Sequence, residues 1–419
     1  MIRWTSLPGG APAVDFAEAV RTNLPPAGGL WMPERVDPWP DLEDLLALPW
    51  EARNGVILER LLGPGRPAGW REALDLPFDL VPAGPGTWAF ELGLGPTFAF
   101  KDVGARFLTA CLAGEPGPRL VLTATSGDTG AAVAAAVRGK PGLRAAVLYP
   151  AGRVSRLQEA QLALGGNVRA FAVQGDFDAC QALVKACFRD RALSADLGLV
   201  SANSLNPARW LPQALYHLEL VHRLRAAGER RPPLIAVPSG NFGNLAAGLL
   251  AWRWGLPVAA FIAATNANRT VPEALATGRY APRPSIPTLS SAMDVGDPSN
   301  WPRAEALLGA DRACLRAGWA DDGETAASLR QLWRAGHRAD PHGAVAHALL
   351  QRLRRPGEPG VFLATAHPGK FRETLEPLLG RTVELPGPLA EALARHRPGE
   401  PLAADLPALR RALRAFAAA

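Results

Sequence analysis

Beyond Gly95 the chain repeats one pattern: a short apolar run, a turn of small residues, then an amphipathic stretch of helical period. The runs are Arg119–Thr125, Arg144–Tyr149, Arg169–Val173, Gly198–Ala202, Leu234–Pro238, Val258–Ala264 and Val361–Thr365. Helices are expected between them, for example over Asp176–Phe188, Pro207–Leu224 and Asn244–Trp254. Short strands that alternate with helices pair in parallel and are buried on both faces, which defines an α/β fold class. Ligands of such folds settle at the carboxyl ends of the strands, where small-residue turns lead into helices.

The ends of the chain read differently. Residues 1–94 are mixed helix and loop, punctuated by PPAGG at 25–29, GPGRPAG at 63–69 and VPAGPG at 81–86, and are expected to form an N-terminal domain. Residues 95–383 carry the core pattern. The tail over 384–419 is rich in Ala, Arg and Pro and reads as surface helices.

Composition excludes several classes. The net charge is +6, but the basic residues are scattered among acids and no basic–aromatic platform occurs, so no nucleic-acid partner is expected. The N-terminus MIRWTSLPGG lacks an apolar signal core, and no run of about 18 apolar residues is present, so no membrane span is expected. The four cysteines form no CxxC, which fits a reducing cytoplasm. The seven histidines show no metal-binding spacing, so no metal site is assigned.

One bias points to chemistry. Of 45 basic residues only Lys101, Lys140, Lys185 and Lys370 are lysines. A lysine kept in such a chain can do what arginine cannot: lose its proton when desolvated and attack a carbonyl. Lys101 lies in GPTFAFKD, after Phe98 and Phe100 and at the start of a helical pattern; apolar surroundings and a helix N-terminus both disfavour its ammonium form. Lys140, in the loop RGKPG, and Lys185, on a helix, read as solvated.

Three further motifs sit at strand ends. TATSGDTG over Thr123–Gly130 opens a helix and offers hydroxyls and backbone amides to a carboxylate or phosphate; a plain capped turn accounts for it equally. PSGNFGN over Pro238–Asn244 also opens a helix, and its glycines allow close approach of a phosphate, although its spacing is neither the dinucleotide fingerprint nor a Walker loop. ATAHPGKF over Ala364–Phe371 puts the Thr365 hydroxyl at a strand end. One reactive lysine with two anion cradles suits an aldehyde cofactor that carries a phosphate, pyridoxal 5′-phosphate.

With these motifs in order, the chain resembles the threonine synthases of the longer bacterial and fungal kind. The resemblance runs from PAVDFAEAVRTNLPPAGGLWMPE to TAHPGKFRETLEPLLG and includes SANSLNPARWLPQ, AATNANRTVPEAL and TLSSAMDVGDPSNWPR. It implies a fold-type II pyridoxal-phosphate enzyme: two parallel-sheet α/β lobes with the cofactor between them, the smaller over roughly 115–205. It implies a carbon–oxygen lyase that turns O-phosphohomoserine and water into threonine and phosphate; the cysteine usage places it in the cytoplasm, and its oligomeric state is open between monomer and homodimer. By matching positions, Lys101 would bind the cofactor aldehyde and act as the base. Gly240, Asn241, Phe242, Gly243 and Asn244 would hold the cofactor phosphate, Thr365 the ring nitrogen, and Asp128 would lie beside the ring oxygen. Ser126 and Thr129 would face the substrate carboxylate, and Arg153, Ser155, Asn203, Ser204 and Arg209 the rest of the substrate. The chain departs from the family pattern at Asn244, where Asp is common, at Arg156, in place of a proline, and at Pro207 and Trp210. A phospholyase or a Ser/Thr dehydratase on the same scaffold is the alternative.

Overall fold

The apolar runs become strands because β-branched and aliphatic side chains pack on both faces of a sheet. A computed structural model describes residues 2–26, 28–125 and 127–418. Its strands are β1 (Trp4–Leu7), β2 (Leu30–Pro33), β3 (Asp79–Gly84), β4 (Thr87–Glu91), β5 (Arg119–Ala124), β6 (Leu143–Pro150), β7 (Val168–Val173), β8 (Leu199–Ser201), β9 (Leu234–Pro238), β10 (Ala260–Thr265), β11 (Leu315–Trp319), β12 (Gly360–Ala364) and β13 (Glu400–Leu402).

Two main sheets result. The larger has the order β11-β10-β9-β12-β4-β3, and the smaller β13-β7-β6-β5-β8. Every pairing within them is parallel except the β3–β4 hairpin. Strands β9, β10 and β12 are buried at every residue, as a sheet covered by helices on both faces requires. This is the two-lobed α/β architecture that the resemblance implies.

The segment before residue 94 is continuous with the core. Trp4 packs edge-on to Trp210, Phe16 lies against Phe107, and β3 and β4 join the larger sheet. Arg53 is buried in an ion pair with Glu219 on the helix Gln213–Ala226. The tail is also more than a surface appendage. β13 extends the smaller sheet beside β7, and the helix Leu406–Ala418 buries Leu409, Leu413 and Phe416 against that lobe. The helix expected over Pro207–Leu224 is two: Pro207–Trp210 and Gln213–Ala226, separated at Leu211–Pro212 because proline cannot donate the helical hydrogen bond.

Four carboxyl-terminal strand ends face the same region. β4 leads through Leu92–Phe100 into the helix Lys101–Ala113, β5 into Asp128–Val137, β9 into Gly243–Arg253, and β12 into Thr365–Phe371. Among the described residues, no helix is long and apolar enough to cross a membrane, and no group of three or more His, Cys, Asp or Glu could hold a metal ion.

Candidate active site

Lys101 is the first residue of its helix, and the loop before it is held from several sides. Thr97 donates from its backbone N (2.9 Å) and from Oγ1 (2.6 Å) to the Asp102 carboxylate. Phe98 adopts a left-handed backbone with φ of 57°, and its carbonyl accepts from His367 N at 3.0 Å. Phe100 N donates to Thr365 O at 2.9 Å, which ties the end of β12 to the residue before Lys101. The lysine side chain is 19% exposed. Burial lowers its pKa below the ordinary lysine value; Asp128 opposes the shift, while the Lys370 and Arg209 cations add to it. An amine at a helix N-terminus, among cations and largely out of water, is poised to act as a neutral nucleophile.

Asp128 sits in the first turn of its helix, with Oδ2 3.8 Å from Lys101 Nζ. Burial alone would push its carboxyl up. The Lys370 and Lys101 cations outweigh that and hold it well below the usual carboxylate range. The turn that carries it folds around Thr125, whose Oγ1 accepts from the amides of Gly127 and Gly130, both at 3.0 Å. Those two amides are therefore taken. Gly127 has φ of 151°, and a Cβ there would lie 2.5 Å from Gln158 Nε2, so only glycine is accommodated. Ser126 lies outside the described residues. Thr129 is half-buried in the first turn of the same helix.

The Pro238–Asn244 turn presents a helix start. Ser239 N donates to Ala264 O at 2.7 Å, and Gly240 packs on the backbone of Met293, where a Cβ would come within 2.7 Å of Met293 Cα. Phe242 is left-handed, with φ of 61°, and packs edge-on to Trp301. Among the described residues no side chain caps the helix Gly243–Arg253, so its first amides are open to an anion. Asn244 Oδ1 meets His217 Nε2 at 3.0 Å, which leaves the buried Nδ2 without a partner among the described residues. Asn241 contributes backbone only, because its side chain donates to Ser204 Oγ at 2.8 Å and accepts from Ser299 N and Oγ.

The remaining expected residues divide. Arg209 is buried close enough to Lys101 to lower its pKa; it donates to Ala202 O, its Nε has no partner among the described residues, and burial pulls its own pKa down to about 10. Ser204 is occupied by the amides of Asn241 and Asn300, and so serves the loop framework. Ser155 caps the helix Arg156–Leu162 in a capping box with Gln158. Arg153 is exposed on the loop before it, and Asn203 is half-buried at a bend after β8. Thr365 is buried at the end of β12.

Sequence reasoning missed three features. Lys370 is wholly buried, 2.8 Å from Asp128 Oδ1 and donating to Thr97 O at 2.7 Å. Asp294, Asn266, Asn268, Thr288 and Ser290 form a partly buried network of hydrogen bonds beside Met293, on whose backbone Gly240 packs. His342 is fixed through Nδ1 to Asp340 at 2.7 Å, and its Nε2 has no partner among the described residues. Lysine scarcity is the signal that could have singled out Lys370, and the stretches AATNANRTVPEAL and TLSSAMDVGDPSNWPR hold the network residues without showing that they meet; nothing in the sequence sets His342 apart from an ordinary buried polar group. A cavity of about 600 Å³ lies elsewhere, lined by Phe16, Arg66, Glu72, Arg106 and Cys111, and takes in neither Lys101 nor the helix start at Gly243.

Lys101, the open helix start and the orphaned donors of Asn244 and Arg209 fit a phosphate-bearing aldehyde. The architecture and these groups define a fold-type II pyridoxal-phosphate enzyme. The family model "Pyridoxal-phosphate dependent enzyme" matches residues 83–365, and "Threonine synthase, C-terminal" matches 343–413. A threonine synthase of Haemophilus influenzae is 44% identical over 91% of this chain and 92% of its own. The crystal structure of Escherichia coli threonine synthase superposes with a TM-score of 0.92 at 42% identity, over 99% of this chain and all of that one. A pyridoxal-phosphate-bound threonine synthase from Brucella melitensis does so at 0.91 and 30% identity, over the whole of both chains. The chain belongs to the threonine synthase family. It is a pyridoxal-phosphate-dependent lyase that makes threonine and phosphate from O-phosphohomoserine and water.

Proposed function

We propose that Lys101 carries this reaction as both the cofactor-binding amine and its proton-transfer group. What supports the reading is one observation: the lysine whose pKa burial and neighbouring cations lower stands where β4, β5 and β12 end together. Bound pyridoxal phosphate supplies an aldehyde that captures the substrate amine and a conjugated ring that takes up the electron pair left when an adjacent proton departs. With substrate and cofactor bound, Lys101 Nζ would be the group to remove the α-proton, and a neutral amine is the form that can do so.

The amides at Gly243 and Asn244 and the Asn244 side chain would hold the cofactor phosphate, and Thr365 its ring nitrogen. A hydroxyl there, unlike a carboxylate, leaves the nitrogen uncharged and restrains side reactions. Arg209 and the turn at Asp128–Thr129 are the groups for the substrate's anionic ends. A β-proton and the γ-phosphate would leave first; water would then give its hydroxyl to the β-carbon while the γ-carbon takes up a proton, so the atoms of O-phosphohomoserine and water appear in threonine and phosphate. The same reading has residues 95–383 as the catalytic core of a cytoplasmic monomer or homodimer without a nucleic-acid partner.

Lys101→Arg tests the assignment, because arginine keeps the charge but cannot form the imine. The variant is expected to lose the cofactor's near-visible absorbance band and turnover together. Turnover at the wild-type rate would remove Lys101 from its role.

A further inference from the structure

Two lysines share one carboxylate in this site. Asp128 turns Oδ1 to Lys370 Nζ at 2.8 Å and Oδ2 to Lys101 Nζ at 3.8 Å. Four lysines in the whole chain make two around one aspartate a specific arrangement. Lys370 has no exposed side-chain surface, and its second partner is the carbonyl of Thr97. Thr97 also fixes Asp102, next to Lys101, and accepts from Gln161 Nε2 at 3.3 Å. Lys370 itself is placed by the short helix Pro368–Phe371: its amide donates to His367 O, and His367 N donates to Phe98 O. The ammonium is thus braced from the end of β12 against the loop that delivers Lys101.

We infer that Lys370 is a positioning residue for Lys101: it engages one oxygen of Asp128, keeps that carboxylate from closing on Lys101 as a full ion pair, and so leaves Lys101 able to shed its proton. The inference rests on Lys101 being the reactive amine, as proposed above. A lone carboxylate beside Lys101 would stabilise its ammonium and raise its pKa. With Lys370 in place, Asp128 is already neutralised, and the second cation works on Lys101 in the opposite direction.

The charged groups facing the pair from each packed element are few. Arg209, from Pro207–Trp210, faces Lys101 and lowers its pKa with Lys370. His342, from Pro341–Leu353, faces Asp128. Asp102, on the Lys101 helix, is taken up by Thr97 and feels Lys370 and Arg106. Asp128 is the one anion among these that raises Lys101, and Lys370 is the group that engages it.

The test reads Lys101 without using turnover. Full-length protein carrying ¹³C at the lysine ε-carbons, freed of cofactor, is titrated by NMR from about pH 6 to about pH 11. Four lysines give four resolvable signals, assigned with single Lys→Arg variants. Lys370→Met keeps side-chain length and removes the charge. It is expected to raise the Lys101 midpoint by on the order of one pH unit, and Lys370→Arg, which keeps the cation, to return it toward the wild-type value. In the holoenzyme, where Lys101 is a free amine only once substrate is bound, the limb of the kcat profile that reports it should move in the same direction. A folded Lys370→Met protein with an unmoved Lys101 midpoint overturns the inference, as does a Lys370→Arg midpoint that matches Lys370→Met. Should Lys370→Met fail to fold, Asp128→Asn serves: Lys101 loses its opposing carboxylate and its midpoint is expected to fall, and an unmoved midpoint there also overturns the inference. None of these outcomes depends on whether Lys101→Arg abolishes turnover, so the two assignments fail separately.

Discussion

At the scale of single residues, the site gathers groups whose protonation the fold has moved. Glu91 closes β4 opposite Ala364 of β12 and lies 3.5 Å from His337 Nε2. Burial, with the charges of Asp340 and Asp79, pushes its carboxyl up to about 8. A carboxyl whose folded pKa exceeds its unfolded one costs no stability while protonated in both states. The penalty starts above the unfolded value of about 4.5, grows as pH rises, and is complete above about 8. Glu91→Gln removes the titration. The variant should match the wild type below about pH 4.5 and be the more stable above about pH 8, by a few kcal/mol at most, as denaturant midpoints across that range would report. A stability difference independent of pH would show that Glu91 ionises normally.

Lys101 could be picked out from the sequence because arginine dominates the cations and two phenylalanines precede it. The Lys370–Asp128 pair could not, since the two residues are far apart in sequence and meet only when β5 and β12 point their ends at each other. Ser155 and Ser204 show the reverse. Small polar residues in loops look like ligand contacts, yet backbone amides and neighbouring side chains claim their hydroxyls first.

At the scale of elements, the turn between β9 and its helix depends on glycine. Gly240 lies against the Met293 backbone, so any side chain must displace one of the two strands of chain, and relaxation is expensive where backbone meets backbone. Gly240→Ala is expected to weaken pyridoxal phosphate binding on the order of tenfold or more while leaving the fold cooperative, measured by fluorescence titration of cofactor-free protein. Unchanged affinity would mean that this turn is not the phosphate site.

The buried strands β5 to β10 and β12 were readable because strands covered on both faces are continuous apolar runs. β11 escaped, being half-buried along its length at the edge of the larger sheet, and β4 is broken into the mixed composition of the N-terminal segment. β3 carries a proline and a register shift, features that mask a strand in sequence.

At the scale of the molecule, the ends of the chain complete the lobes. The final helix has one apolar face, Leu409, Leu413 and Phe416, which packs with Leu183 and Val184 of the smaller lobe. Composition gave only Ala, Arg and Pro there, because an amphipathic helix with a single narrow face resembles a solvated one. Leu413→Ala should cost about 2–4 kcal/mol, read as a lower urea midpoint with an unchanged slope; no loss would mean that the helix contributes little to the lobe. The parallel α/β fold followed from strand–helix alternation and the two lobes from the family resemblance, whereas the contribution of β13 to the smaller sheet needed the folded chain.

On the proposed reading, four strand ends assemble a site in which Lys101 does the proton work and O-phosphohomoserine is the substrate. The most direct measurement incubates the pyridoxal-phosphate holoenzyme with O-phosphohomoserine and follows products by chromatography. Threonine and phosphate in equal amounts are the expected result. Phosphate accompanied by 2-oxobutyrate and ammonia, without threonine, would contradict it and make the protein a phospholyase on the same scaffold.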